Sequence, residues 1–271
     1  CARSLGTGAP RHQRRGLTMK LVTFNIRCDF DQDGENSFRF RKGLILKKLE
    51  EEKPDVICFQ EVLPHVAVWL RENLKDYYVV GCGRSEELRD EQVSVAFRKE
   101  KLNLISMETF WLSPSPYEPA SRYPAQSTCP RVCTEVLLED LEEQKVFRLF
   151  NLHLDHMGVE ARRLGLTQIL KKAKEAVLFP DAPVILAGDF NAEQDGEEMR
   201  ILEEDISYIN ATKGIGITYH GFKPEDPPES IDDIFYQRPL KCQGVHKWED
   251  REGNVWLSDH YPVCAELEWE M

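Results

Sequence analysis

The chain has 271 residues, 41% of them apolar and 10% aromatic, enough for one large globular core or two small ones. No apolar run approaches the roughly 18 residues of a membrane-spanning helix, which argues against a transmembrane segment. The formal charge of −12 and a pI of about 5.2 argue against nonspecific binding of long duplex DNA, because Lys and Arg contacts to phosphate drive that binding.

Residues 1–18 mix Gly, Pro, His and Arg without periodicity and read as a tag or disordered leader, with a lipid-carrying Cys1 as the alternative. Residues 19–271 read as a single domain. Leu21 to Ile26 is strand-like, with Asn25 near its end. Phe40 to Glu52 sets Leu44, Ile45 and Leu49 at helical spacing, and Pro54 stops it. Asp55 to Phe59 reads as a buried strand that delivers Gln60 and Glu61. His65 to Lys75 reads as a helix through Val66, Trp69 and Leu70. Tyr77 to Val80 and Val93 to Phe97 read as strands on either side of a polar turn.

Residues 113–130 are rich in Pro and Ser, so they form a long loop at the rim of a site. Thr134 to Leu138 and Val146 to Leu154 form a hairpin with an acidic turn. Ala161 to Leu178 is a helix, Ala182 to Ala187 a buried strand and Glu197 to Glu204 a short helix. Pro224 to Pro228 is a loop, and Ser230 to Tyr236 and Val263 to Trp269 close the chain as strands. No repeat and no linker interrupts this alternation. It suits an α/β fold of two packed mixed sheets with helices outside.

Eight cysteines are spread along the chain. Cys58 and Cys264 fall within strand-like segments, where a free thiol acts as a small hydrophobe. Cys129 and Cys133 have no second pair at zinc-finger spacing. All read as reduced thiols, which suits a cytoplasmic protein, with a secreted or lipid-anchored one as the alternative.

The chemistry gathers at strand ends. Gly188-Asp189-Phe190-Asn191 closes a buried strand, and residues two apart on extended chain point the same way. Asp189 and Asn191 then sit at the mouth of a site. Glu61 follows another buried strand and offers the hard oxygen that Mg²⁺ or Mn²⁺ prefers, with Asn25 beside it. Alternation puts Asn151, His153 and Asp155 on one polar face, and His156 follows. Asp232 and Asp233 lie inside a strand pattern, where an unpaired acid is costly. Asp259-His260 precedes the last strand, and an Asp against an imidazole fixes its tautomer and raises its basicity. Arg131 either clamps phosphate oxygens or is a plain surface residue. Nothing points to a protein partner or an oligomeric state.

Taken together, Thr23-Phe24-Asn25, the run from Pro54 to Glu61, Asn151-Leu152-His153, Gly188-Asp189-Phe190-Asn191, Ile231-Asp232 and Ser258-Asp259-His260 resemble the endonuclease/exonuclease/phosphatase superfamily, in its expected order from Leu21 to Trp269. The resemblance implies a four-layer α/β sandwich and metal-dependent phosphoester hydrolysis. It assigns the metal to Glu61, helped by Asn25 and Asp259. Asp189 and Asn191 position the attacking water, His153 contacts phosphate, and Asp232 orients His260. The proton acceptor stays open between Asp189 and His260. Ile26-Arg27-Cys28 replaces the acid or amide and Gly of many nucleases, so Arg27 faces substrate or pairs with a carboxylate. With Phe110 to Ser113 and His153 to His156, this points to a bacterial branch of undefined substrate. The implied substrates are a phosphorylated small molecule, a lipid headgroup or single-stranded nucleic acid, and the acidic charge favours the first two.

Overall fold

Strands buried on both faces need cover on both sides, and this chain has several. The computed structural model describes residues 18–223 and 227–270. The expected leader lies outside the described residues except for Thr18, as do residues 224–226 of the second loop. In chain order the elements are β1 (Met19–Asn25), α1 (Phe38–Glu52), β2 (Val56–Val62), α2 (Pro64–Asn73), β3 (Tyr77–Val80), β4 (Gln92–Arg98) and β5 (Leu102–Trp111). There follow β6 (Val132–Asp140), β7 (Lys145–His153), α3 (Val159–Lys174), β8 (Val184–Asp189), α4 (Arg200–Glu204), β9 (Tyr208–Asn210) and β10 (Asp232–Gln237). The chain closes with β11 (Leu240–Lys247), the short hairpin β12 (Arg251–Glu252) and β13 (Val255–Trp256), and β14 (Val263–Trp269).

Two six-stranded sheets result, ordered β11-β14-β1-β2-β4-β3 and β5-β6-β7-β8-β10-β9. The β1–β2 and β7–β8 pairs are parallel and the other pairings antiparallel, so both sheets are mixed. Alternation along each strand builds the layers. Leu21, Val56 and Cys58 face inward onto Val136, Leu149, Ile185 and Ala187 of the other sheet. Their neighbours Val22, Ile57 and Phe59 face outward under Ile45 and Leu49 of α1 and Val66 and Leu70 of α2. Phe150, Leu152 and Leu186 face outward from the second sheet under Leu166 and Ile169 of α3. The expected four-layer α/β sandwich is therefore the fold. Each fully buried side chain of this size contributes about 1.5–3 kcal/mol.

The inter-sheet layer is not wholly apolar. The Asn151 amide donates to the carbonyls of Phe59 (2.9 Å) and Ser94 (2.8 Å), and the Gln60 amide donates to Asn151 Oδ1 (2.8 Å) and Thr23 Oγ1 (3.3 Å). These groups are buried, so the bonds fix how the two sheets are set along their strands.

Several boundaries move. The helix expected to reach Leu178 ends at Lys174, because Val177, Leu178 and Phe179 are exposed and extend no buried stripe. The short helix expected from Glu197 is a 3₁₀ turn, Glu197–Met199, followed by α4. Strands β5 and β11 are not among those expected from the sequence. Both alternate weakly and are only partly buried, which masks the period-2 signal. The seven described cysteines form no disulfide. Among the described residues no helix is long and apolar enough to cross a membrane.

Gly188 shows how tightly β8 lies against β7. Its φ is +155°, and a Cβ there would stand 2.0 Å from the Leu152 carbonyl oxygen. Backbone cannot yield to that contact as a flexible side chain could. Gly188→Ala is expected to lower stability by about 3 kcal/mol, measured by urea denaturation. A midpoint equal to wild type would show that the β7–β8 pairing is looser than described.

Candidate active site

The topology brings six segment ends to one end of the sandwich. Asn25 ends β1, Glu61 lies near the end of β2, His153 ends β7 and Asp189 ends β8. Asp232 starts β10 directly opposite Asp189, and Asp259 and His260 lead into β14. All of them except the half-buried Glu61 are more than nine-tenths buried.

Asn25 is the hinge of the site. Its amide donates to Glu61 Oε1 (3.1 Å) and to Asp189 Oδ2 (3.0 Å), and its Oδ1 accepts the Arg27 backbone N–H (3.0 Å). Glu61 Oε2 accepts the Cys28 N–H at 2.8 Å. Burial pushes Glu61 up, but the Arg27 charge and the Cys28 N–H outweigh it and hold the carboxylate below its usual range. Glu61 itself has φ 60° and Asn191 φ 49°, a left-handed backbone that non-glycine residues avoid and that recurs at functional sites. The Asn191 N–H caps Asp189 Oδ1 (2.8 Å) while its amide holds the Leu154 carbonyl (3.0 Å).

Two imidazoles face Asp189 Oδ2, His153 Nε2 at 3.5 Å and His260 Nε2 at 3.8 Å. They carry opposite charge states. Burial, then the Arg131 and Arg84 charges, hold His153 well below the usual imidazole range, so it is neutral. Burial also works against charge on His260, but Asp232, hydrogen-bonded to its Nδ1 at 2.8 Å, raises it to about 10. Burial and the nearby Asp232 raise Asp189 to about 7.

The other expected residues are placed as follows. Arg27 grips Asp33 through two bonds (3.0 and 3.1 Å) and lies 3.4 Å from Asp259 Oδ2. It takes the carboxylate-pairing alternative. Arg131 is not a surface residue. It is buried beside His153, and its Nη2 meets His156 Nδ1 at 2.9 Å. The polar face expected of β7 is divided. Only His153 reaches the site. Asn151 ties the sheets, and Asp155 accepts the N–H groups of Ser127, Met157 and Gly158 before α3.

Three contributing residues went unnoticed in the sequence. Arg41 is fully buried in α1, with its guanidinium on the carbonyls of Ile26 (2.7 Å), Arg27 (3.1 Å), Asn36 (2.6 Å) and Leu257 (2.9 Å). It fastens the two loops that carry Arg27 and Asp259. Arg84 and Glu91 form a 2.6 Å ion pair next to Glu61. A carboxylate just before strand β4 was the available signal for Glu91. An arginine in a turn gives none.

The ligand atoms of Asp189, Asp232 and His260 lie within 4.8 Å of one another, a spacing that could hold a metal ion. The bond between His260 and Asp232 already closes that triangle, and a protonated imidazole is no ligand. Glu61, the carboxylate its surroundings keep ionised, better fits a hard divalent cation, with Asp259 near it; Asn25 turns its amide N–H to Glu61 and its Oδ1 to the Arg27 N–H.

Comparisons with known proteins agree with this fold. The crystal structure of the endonuclease/exonuclease/phosphatase from Bacteroides vulgatus superimposes with a TM-score of 0.87 at 29% identity, covering 94% of this chain and all of that one. The mannosyl-6-phosphatase Bt3783 of Bacteroides thetaiotaomicron shares the fold, with a TM-score of 0.84, 23% identity, and coverage of 93% of this chain and all of that one. Uncharacterized protein L388 of Acanthamoeba polyphaga mimivirus is 27% identical over 183 residues, 65% of this chain and 68% of its own. The model of the Endonuclease/Exonuclease/phosphatase family matches residues 22–260, and the chain belongs to that family of hydrolases.

Proposed function

We propose that this chain is a Mg²⁺- or Mn²⁺-dependent phosphoester hydrolase that directs an activated water in line at phosphorus. The observation that carries this reading is the convergence on Asp189 Oδ2 of the Asn25 amide, a neutral imidazole and a charged one. Such a cluster supplies a proton acceptor and donors of different roles around one carboxylate oxygen.

Glu61 would hold the metal, helped by Asn25 and Asp259. When bound, the divalent ion supplies neutralisation of charge on a phosphoryl oxygen. The remaining work belongs to the chain. Asp189, fixed by the Asn191 N–H and the Asn25 amide, orients water and takes its proton. The raised proton affinity of Asp189 suits that role, and His260 is unsuited because it is already protonated. The His260 imidazolium donates to a phosphoryl oxygen and Asp232 keeps it charged. Neutral His153 binds a second oxygen through Nε2. The net charge of −12 favours a phosphorylated small molecule or lipid headgroup over a nucleic-acid strand.

Three expectations follow for the full chain. A panel of inositol phosphates, sphingomyelin, single-stranded RNA and DNA, and chromogenic esters gives metal-dependent turnover, and Asp189→Ala lowers kcat by about a thousandfold. Full activity in that variant would remove Asp189 from the chemistry. Millimolar Mg²⁺ or Mn²⁺ raises the melting temperature by roughly 5 °C, by mass action on the folded state, and Glu61→Gln abolishes most of the rise. An equal rise in both proteins would place the ion elsewhere. In EDTA, His260 protonation adds stability that is complete below its unfolded pKa of about 6.5 and is lost as pH rises towards about 10. Asp232→Asn flattens that decline in a denaturation series across pH. A decline of unchanged slope would sink the pairing.

A further inference from the structure

Among the described residues, no pairing between strands joins the two sheets. Asp232 starts β10 in the second sheet, and His260 leads into β14 in the first. Their 2.8 Å bond therefore depends on whatever sets one sheet end against the other. Residues 218–221 run between these two ends and bond to both.

On the side of β10, the N–H groups of Thr218 and Tyr219 donate to the Glu229 carbonyl (2.8 and 2.9 Å), and the Glu229 N–H donates back to the Tyr219 carbonyl (3.1 Å). On the side of β14, the N–H groups of His220 and Gly221 donate to the Asp259 carbonyl (2.9 and 3.2 Å), and the Tyr261 N–H donates to the Thr218 carbonyl (2.6 Å). His260 is thus bracketed by bonds at both of its chain neighbours. The Tyr219 ring lies tilted against its imidazole, with 4.9 Å between centroids.

Thr218 adds a tie from its side chain. It is fully buried, and its Oγ1 accepts the N–H groups of Ile231 and Asp232, each at 3.0 Å. A hydroxyl oxygen has two lone pairs, and both are used. One residue therefore holds Asp232 through its side chain and the chain beside His260 through its carbonyl. Other bonds fix each half to its own sheet. The Ser258 hydroxyl accepts the His260 N–H (3.3 Å) and donates to the Asn25 carbonyl (2.6 Å), while Asp232 pairs with Asp189.

We infer that Thr218 is a positioning residue for the Asp232–His260 pair, and that its hydroxyl sets Asp232 where the carboxylate accepts the His260 Nδ1–H. The consequence for turnover rests on the phosphoesterase reading; the geometric link does not. Without Oγ1, two buried N–H groups lose their acceptor, and the chain at Asp232 shifts to find another. That shift moves the carboxylate behind His260 and leaves Glu61, on the other sheet, in place. Turnover then falls while substrate binding is spared.

Thr218→Val keeps the branched shape and removes the oxygen, whereas Thr218→Ser keeps the oxygen. With Mg²⁺ and a substrate that turns over in the panel above, Thr218→Val is expected to lower kcat at least about tenfold with KM changed less than about threefold, and Thr218→Ser to stay within about threefold of wild type. Proton NMR of the full chain reads the pair directly, with the His260 Nδ1–H signal identified by its loss in His260→Gln. Its exchange with water is expected to quicken at least about tenfold in Thr218→Val and not in Thr218→Ser. In a folded Thr218→Val, unchanged exchange or unchanged kcat would overturn the inference, as would equal losses in the two variants. If Thr218→Val does not fold, wild-type amide exchange decides. The Ile231 and Asp232 amides are expected to be protected at least about a hundredfold over an open chain, and exchange at open-chain rates would remove the Thr218 tie. If no ester turns over in wild type, quicker Nδ1–H exchange in Thr218→Val upholds the positioning role and retires the phosphoesterase reading. Unchanged exchange retires the positioning role.

Discussion

One carboxamide sets the site. Asn25 belongs to the first sheet, and it spends one N–H on Glu61 of the same sheet and the other on Asp189 of the opposite sheet. Apolar burial is non-directional, so the Leu, Val and Ile layer between the sheets would tolerate small slides along the strands. A buried amide with two acceptors would not, because each lost bond strands a polar group away from water. Below it, Asn151 and Gln60 repeat the device across the same gap. The polar ties thus turn a sandwich that could settle at several offsets into one in which Glu61 and Asp189 share the Asn25 amide.

The ends of the strands carry the cost of that arrangement. Arg27, Glu61 and Asn191 all hold positive φ, each costing on the order of 1–3 kcal/mol. The surroundings over-determine them. Arg41 collects carbonyls from both loops beside Arg27 and Asp259, and the Cys28 and Asn191 N–H groups are aimed at Glu61 and Asp189. Asp189, Asp232, Asp259 and Glu61 crowd one pocket with His260 as the charged imidazole among them. Under the proposed function a divalent cation would add positive charge against these four carboxylates, which is the electrostatic reason to expect metal binding and stability to be linked.

Much of this could be read from residue order, and the reason is local. Asp55 to Phe59 and Ala182 to Ala187 are apolar, short and bounded by breakers, so their strand ends and the acids beyond them were legible. The edge strand at Leu102–Trp111 was not, because Asn103, Ser106 and Glu108 interrupt an already weak alternation. Alternation along β7 placed Asn151, His153 and Asp155 on one face but could not say that they serve three different places, or that Asp155 lies beyond the strand's end. That depends on what the opposite sheet presents at each height. Arg41, Arg84 and Glu91 escaped notice for the same reason. A buried arginine is defined by its distant acceptors, and the acceptors of Arg41 lie as far off in sequence as Leu257.

The balance between long-range and short-range charge completes the argument about substrate. At physiological salt the overall negative charge is screened beyond a Debye length of about 8 Å, so a single phosphoryl group approaching the cleft feels chiefly what lines it. That lining includes Arg131, Arg84, Arg27 and the charged His260. A polyanion is different, since every phosphate left outside the cleft meets the acidic surface, and the penalty grows with chain length. On this balance an acidic protein with cationic groups at its cleft meets a single phosphoryl group with less repulsion than a long charged strand.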